Sequence, residues 1–387
     1  MRSDDRGDMD TIRVEVLNSL TGIPASAWDS TCHPSFPFGQ HAWHRALESS
    51  RSVGQGTGWH PRYIVARDGD RLVGVTPLYE KMHSNGEYVF DWAWADAWHR
   101  NGLRYYPKLT AAIPFTPATG ARLMCAPGLD ESVVRKELLR GALSTIAERD
   151  ASGLHYLFVT PDEAEFFRGL GFAIRHGFQF HWKNRGYRDF KDFLAALKPR
   201  AARQIQRERE QFASSGVRVE ILNGESLRVE HADVFYRFYL ATITKMHALP
   251  YLTPAFFRAV FADMPEQIIL ILGREGDTEV GAALFYCRGD ALYGRYWGAT
   301  KDVRNMHFEL CYYRALEWAI ERKIQLFEAG AQGEHKLARG FLPELTRSAH
   351  WIVEGGFRDP VAQFVAEEAQ QIANAIGGLS EKSPYAN

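Results

Sequence analysis

Apolar positions recur along this chain in two rhythms, and the changes between them mark out the elements. Runs in which every second residue is apolar predict strands at 12–17, on both sides of Asp68-Gly69-Asp70, at 178–184, in VRVEIL after Gly216, and at 291–297. The Asp-Gly pair at 68–69 between two such runs is a hairpin signal. Apolar residues at i, i+3 and i+4 predict helices at 24–28, 41–50, 163–170, 232–246, 254–261 and 361–376. Aromatic residues crowd EYVFDWAWADAW (87–98), which reads as a strand. A short helix interrupted at Pro199 and a basic helix carrying Arg200, Arg203, Arg207 and Arg209 precede Gly216, and the last eight residues read as a disordered tail.

The pattern repeats. Val73-Gly74-Val75-Thr76-Pro77-Leu78-Tyr79 has a counterpart in Val280-Gly281-Ala282-Ala283-Leu284-Phe285-Tyr286. Further on, ALSTIAER (142–149) matches ALEWAIER (315–322), each followed by a short strand, HYLFV or QLFEA. The shared order of strand, strand, helix and strand predicts an α/β fold with mixed sheets, built from two duplicated units. The first spans residues 1–186 and carries an extra aromatic-rich piece at about 92–120; the second spans 187–387. A length of 387 residues suits two cores better than one.

Composition narrows the class. The chain is 45% hydrophobic and 24% charged with a formal net charge of −1, an ordinary globular balance that argues against a surface coated for DNA. No apolar run is long enough to cross a bilayer, and the acidic N-terminus lacks a leader, so we expect a cytoplasmic protein without membrane insertion. Cys32, Cys125, Cys287 and Cys311 lack CxxC spacing, which fits reduced thiols, and no ligand spacing predicts a metal.

The motifs GRYWGAT, HFELCYY, GAQGEHKLARGF, YYPKL and PFTPATGARL resemble the FemAB-like group of predicted N-acyltransferases, with tandem GNAT-type units similar to FemAB/FemX aminoacyl-tRNA-dependent peptidoglycan bridge enzymes. The resemblance runs from about His33 to Trp351 and implies passage of an acyl group to an amine. GNAT enzymes hold the pyrophosphate of coenzyme A on a Gly-rich loop at a helix N-terminus. The corresponding loops here, APGLDES and GATKDVRN, lack that pattern and carry acids, so a CoA thioester is disfavoured as donor and an aminoacyl-tRNA gains. No tightly bound cofactor is expected; the donor is a co-substrate, and the acceptor is a small-molecule or peptide amine. The alternatives are a CoA-dependent GNAT enzyme and a non-catalytic protein that recognises a peptide or cell-wall fragment through its aromatic segment.

In open α/β sheets, ligands bind beyond the carboxyl ends of the strands, which singles out the stretch from Gly289 to Trp351. Glu328 ends a strand in apolar company, and with His307 and His335 it is a candidate base for the amine proton. Lys336, Arg339, Glu334 and Gln332 crowd the following loop, and Glu309 and Tyr296 lie on the neighbouring helix and strand, as candidates for substrate contact. His307 and Glu309 are two apart on a helix and cannot share a face. In the first unit, Asp91, Trp92, Trp94 and Tyr106 combine acid with aromatic faces, a combination that suits an ammonium ligand. For each the plainer reading stands beside it: an ion pair, a helix-dipole partner or an aromatic core.

Overall fold

The computed structural model describes residues 12–330 and 333–386. In chain order the first half contains β1 (Arg13–Leu17), α1 (Ala25–Asp29), α2 (His41–Ser49), β2 (Trp59–Pro61), β3 (Tyr63–Asp68), β4 (Arg71–Thr76), β5 (Leu78–Lys81), α3 (Trp92–Arg100), β6 (Lys108–Ala111), β7 (Met124–Cys125), α4 (Glu131–Arg149), β8 (Gly153–Leu157), α5 (Pro161–Gly169) and β9 (Ala173–Lys183). The second half continues with α6 (Phe190–Ala195), α7 (Pro199–Ala213), β10 (Arg218–Asn223), α8 (Glu230–Lys245), α9 (Pro254–Asp263), β11 (Ile268–Glu275), β12 (Thr278–Arg288) and β13 (Ala291–Ala299). It closes with α10 (Met306–Phe308), a π-turn (Glu309–Tyr313), α11 (Arg314–Glu321), β14 (Leu326–Glu328), a 3₁₀ turn (Glu334–Arg339), β15 (Leu342–Ile352) and α12 (Gly355–Glu381).

The strands form a 4-stranded sheet, β1-β3-β4-β7, and an 11-stranded sheet ordered β10-β11-β12-β13-β14-β9-β15-β8-β6-β5-β2. The middle of the large sheet carries an exchange. Strand β9, from the first half, pairs with β14 of the second, and β15 returns to pair with β8 of the first. On each side of this junction a parallel pair precedes it, β13 with β14 and β6 with β8. The hairpin words that matched in sequence behave differently. Strand β12 stays whole, with a register shift at Leu284/Phe285, whereas at the matching position Pro77 divides β4 from β5 and sends them to separate sheets. Proline cannot donate to a ladder, so a continuous strand breaks there.

Residues 87–98 were expected as a strand, but helix α3 begins at Trp92 and buries Trp94 and Trp98. Those residues lie at i and i+4, so the aromatic run follows a helical period that its β-propensity concealed. The C-terminus also departs from expectation. Helix α12 is longer than predicted, with Pro360 tolerated in its first turns, and the tail after it is held rather than free. The Tyr385 hydroxyl donates to the Gly340 carbonyl (2.8 Å), and Ala386 N–H donates to Ala196 (3.0 Å).

Segment 20–53 packs its aromatic residues across the face of the second-half sheet. The Phe38 ring meets Tyr286 and Tyr293 edge-on, at 5.5 and 5.1 Å between centroids. One core cluster therefore runs from Trp28 to Tyr293, joining the two halves of the chain through apolar burial.

Candidate functional site

Strand β13 makes the site by outrunning its neighbour. It pairs with β14 only over Ala291–Tyr293, then continues to Ala299 against β12 alone. Beyond Tyr293 its free edge faces a cleft of about 290 Å³. Gly294–Trp297, Ala329 and Gly330 form the lips of this opening, with Tyr239 and Thr242 of α8 on one side and His307, Cys311, Tyr312, His335 and Lys336 on the other. The π-turn at Glu309–Tyr313 widens one turn of the helix. Such insertions favour functional sites because they re-aim side chains.

One wall is polar and linked. The Tyr312 hydroxyl and His335 Nε2 are 2.9 Å apart, and the His307 ring lies 5.8 Å from that of His335. Gly333, at φ 115, leaves room for the His335 imidazole, which a Cβ would meet at 2.4 Å. Lys336 donates to the Gly330 carbonyl at 2.7 Å and has no carboxylate partner among the described residues. Burial lowers its pKa to about 8, helped by the charge of Arg295. Burial also lowers both imidazoles, aided by the cationic neighbours; His307 falls to about 4. The Cys311 thiol is driven far above its ordinary range by burial, so it stays protonated.

Among the sequence candidates, His307, His335, Lys336 and Tyr296 line this cleft. Glu328 does not. It is buried beneath it, 3.5 Å from Arg295 and 3.9 Å from His181, and Arg295 presents to the cleft in its place. Burial raises the Glu328 pKa to about 7 against the pull of Arg295. Arg339 turns away to Glu208 (2.7 Å) and Tyr313 (3.0 Å), with its guanidinium over the Phe308 ring. Glu309 is held by Arg209 and Arg314, both at 3.0 Å, so its reading as a structural ion pair prevails over substrate contact. Glu334 is exposed, and Gln332 lies outside the described residues.

The first-half candidates form a separate place. Asp91 accepts from Tyr105 (2.6 Å) and pairs with Lys108, which also holds Glu87 (2.8 Å). Trp94 stands edge-on to His350, Tyr106 bonds Ser84 at 2.8 Å, and Trp92 is exposed and stacked on Phe90. No ammonium-binding cage results, because the acid is already neutralised inside the protein. At the carboxyl ends of β6 and β8, buried Ile113, Phe115 and Ala118 fill the space, and Arg122 donates to the carbonyls of Leu157, Gly120 and Ala118.

Two features escape sequence reasoning. Tyr312 falls on the apolar stripe of its helix, and the π-turn that exposes it leaves no mark on that spacing; Arg295 sits inside a strand with nothing local to single it out. A third feature is visible in the sequence but easily undervalued. The cleft shares Thr242, Trp297 and His307 with a second cavity around Lys245 and Arg304, which shares Arg304 and Asn305 with a third, lined by Arg200, Arg203 and Arg207.

This arrangement defines a mixed α/β protein with a strand-edge cleft, and its relatives agree. The profile of the FemAB-like family, described as peptidoglycan biosynthesis/recognition, matches residues 19–387, and the chain belongs to that family. Among solved structures it is similar to FemX, at 12% identity and TM-score 0.52, covering 90% of this chain and 99% of that one. It is also similar to L-PGS from Bacillus licheniformis (9% identity, TM-score 0.50, 83% and 95% covered). A conserved protein of unknown function from Bacteroides thetaiotaomicron VPI-5482 is a further likeness (11%, TM-score 0.50, 88% and 100%). No curated protein matches the sequence. These likenesses define the fold: mixed α/β, as expected, and shared with FemX. No helix among the described residues is long and apolar enough to cross a membrane.

Proposed function

We propose that this protein is an N-acyltransferase of two GNAT-like units, 1–186 and 187–387, that joins an activated acyl ester to an amine linked to peptidoglycan synthesis. The observation that carries the reading is the cleft at the free edge of β13, where Lys336, without a carboxylate partner among the described residues, faces the same space as His335 and Tyr312. The amine nitrogen attacks the ester carbonyl, forming the C–N bond; the carbonyl oxygen becomes an oxyanion beside the Lys336 ammonium. His335 accepts the amine proton and returns it to the leaving alcohol oxygen as the C–O bond breaks. His307, at about 4, is too weak a base at neutral pH for that task, and Glu328 has a suitable pKa in an unsuitable place. The protonated Cys311 favours direct transfer over a thioester intermediate.

For the donor, aminoacyl-tRNA is favoured over a CoA thioester. None of Arg200, Arg203, Arg207 and Arg304 has a carboxylate partner among the described residues, and together they line a cavity of about 540 Å³ joined to the cleft through the Lys245 cavity. Such a track suits a chain of phosphates. The test is transfer of labelled amino acid from a charged tRNA pool to a peptidoglycan-precursor peptide, by parent and by Lys336→Met and His335→Asn. Label appearing in an amide with the parent and falling at least 10²-fold with each variant supports the reading; transfer from acetyl-CoA alone, or none from any donor, would overturn it.

A further inference from the structure

Buried guanidinium groups elsewhere in this protein have their donors occupied. Arg122 donates to the carbonyls of Leu157, Gly120, Ala121 and Ala118, and Arg339 donates to Tyr313, the His335 carbonyl and Glu208. Arg295 differs. Its side chain is 2% exposed, yet Nε and one terminal nitrogen have no hydrogen-bond partner among the described residues, and the other terminal nitrogen reaches only the carbonyl of the adjacent Gly294, at 3.1 Å. Glu328 stands 3.5 Å away, too long for a strong hydrogen bond. Burial raises the pKa of that carboxyl to about 7, so at neutral pH it cancels only part of the arginine's charge. The rings of Phe38 and Tyr293, 4.9 and 5.4 Å from the guanidinium carbon, hold the group in place. Buried charged donors without acceptors are costly, and a chain that satisfies its other buried guanidinium groups has a use for this exception when a ligand supplies the acceptor.

The space that ligand would occupy is the reaction cleft, which Arg295 lines together with Lys336. Among the described residues no Asp or Glu lines it. Burial and the neighbouring cations lower both imidazoles, His307 and His335, so these are neutral at pH 7 and add no charge of their own. Two cations without an acid therefore set the field of the cleft. A lysyl or arginyl side chain would enter it against repulsion, whereas an anionic group gains. The fork of a guanidinium matches a carboxylate in shape as well as charge. A volume of about 290 Å³ takes a group the size of an amino acid. The phosphates of a tRNA donor have their own cations, at Arg200, Arg203, Arg207 and Arg304.

We propose that Arg295 is a specificity-determining residue that binds a carboxylate of the substrate in this cleft, so that one of the two reactants is anionic beside its reacting group. Calling the ligand a reactant rests on the acyl-transfer reading, whereas binding itself is measured without turnover. The carboxylate has two sources, the side chain of the acyl group or the acid beside the acceptor amine, and one matched pair of probes stands for each. N-acetyl-L-glutamate α-methyl ester against N-acetyl-L-glutamine α-methyl ester represents the acyl group; L-alanine against L-alaninamide represents the acceptor. Titrations followed by NMR on the parent should show the acid of one pair binding at least about tenfold tighter than its amide, as for a charge-assisted hydrogen bond, and that pair names the source. The variant is Arg295→Gln combined with Glu328→Gln, which leaves no unpaired buried charge, and circular dichroism with a melting curve checks its fold. It should bind acid and amide alike, and Arg295→Lys should restore part of the preference. Equal binding of acid and amide in both pairs by the parent, no binding of either acid, or a preference that survives in the double Gln variant would each overturn the assignment. Amide formation that proceeds equally well with uncharged reactants would sink the carboxylate site and spare the acyl-transfer reading. A carboxylate preference without amide formation from any donor would do the reverse.

Discussion

Replacing Glu328 with Gln tests whether this carboxyl works as a base or as a buried burden. Its pKa rises from 4.5 to about 7, because burial outweighs a long contact with Arg295 at 3.5 Å. In the unfolded chain the group loses its proton near 4.5; in the folded protein it keeps it until about 7. Between those values the native state binds more protons, so stability falls as pH rises through the window, then levels off above the folded pKa. At ~1.4 kcal/mol per pH unit, the full effect is about 3 kcal/mol. Gln is neutral throughout and shows none of it. Other titrating groups cancel in the difference between variant and parent. Urea unfolding at pH 5, 6, 7 and 8 should therefore give a Gln-minus-parent stability that grows in the variant's favour by roughly 2–3 kcal/mol over that range. The rate of amide formation should stay within about twofold of the parent, since Glu328 does not face the cleft. A difference independent of pH, or one that moves against Gln as pH rises, would refute the reasoning: the latter is the signature of a carboxylate held ionised by Arg295.

Lys336→Met should lower amide formation by roughly 10²–10³-fold while raising stability at pH 7, because a cation whose pKa falls to about 8 is held charged at a cost. Across about pH 8–10.5 the parent should gain stability, as its folded state binds fewer protons than the unfolded chain, and the Met variant should not; melting curves at pH 7 and 10 check this. Reversing charge with Arg203→Glu and Arg207→Glu should weaken tRNA retention on a filter and flatten its salt dependence by roughly one unit of slope for each phosphate left without a cation. Acetyl-CoA should give no heat of binding at micromolar concentration, since the loop at 300–305 (TKDVRN) contains no glycine and so offers no Gly-rich turn of free N–H groups to a pyrophosphate; a micromolar Kd by calorimetry would contradict that.

Local signals carried much of this fold. The Asp-Gly turn set β3 against β4, Pro199 started α7, and alternating runs located β10 and β13. What was hidden depends on long-range partners. Nothing local to β9 states that it will pair with β14 rather than with its own half, because the same alternation satisfies either neighbour. The aromatic run at 87–98 carried strand propensity and helix spacing at once, and packing of Trp94 and Trp98 decided for the helix. At the site, the crowding of QGEHKLARG pointed to the right loop but not to which side chains turn inward. Lys336 and Arg339 are three apart on a 3₁₀ turn, yet one faces the cleft and the other Glu208, because Phe308 and Tyr313 offer Arg339 a stacked, hydrogen-bonded seat.

The strand exchange gives the site its asymmetry. Because β14 has only three residues and is flanked on its far side by β9 from the other half, it cannot extend to cover β13, and the edge beyond Tyr293 stays open. The equivalent opening at β6 and β8 has its own neighbour, β15, but there the aromatic-rich piece folds back and Arg122 ties the carbonyls of Leu157, Gly120, Ala121 and Ala118 over it. The residues that close the first opening also frame the second: Phe115 stacks on Tyr251 at 5.0 Å and takes the Tyr296 hydroxyl on its carbonyl at 3.4 Å. Phe115 adopts φ 60 and Tyr88 φ 61, conformations costly for bulky residues and retained where the surroundings over-determine them. Phe115 meets Tyr251 and Tyr296 of the second half directly, so its unfavourable backbone is hard to explain by packing of the first half alone. It follows if that half has given up its own opening to build the entrance of its twin.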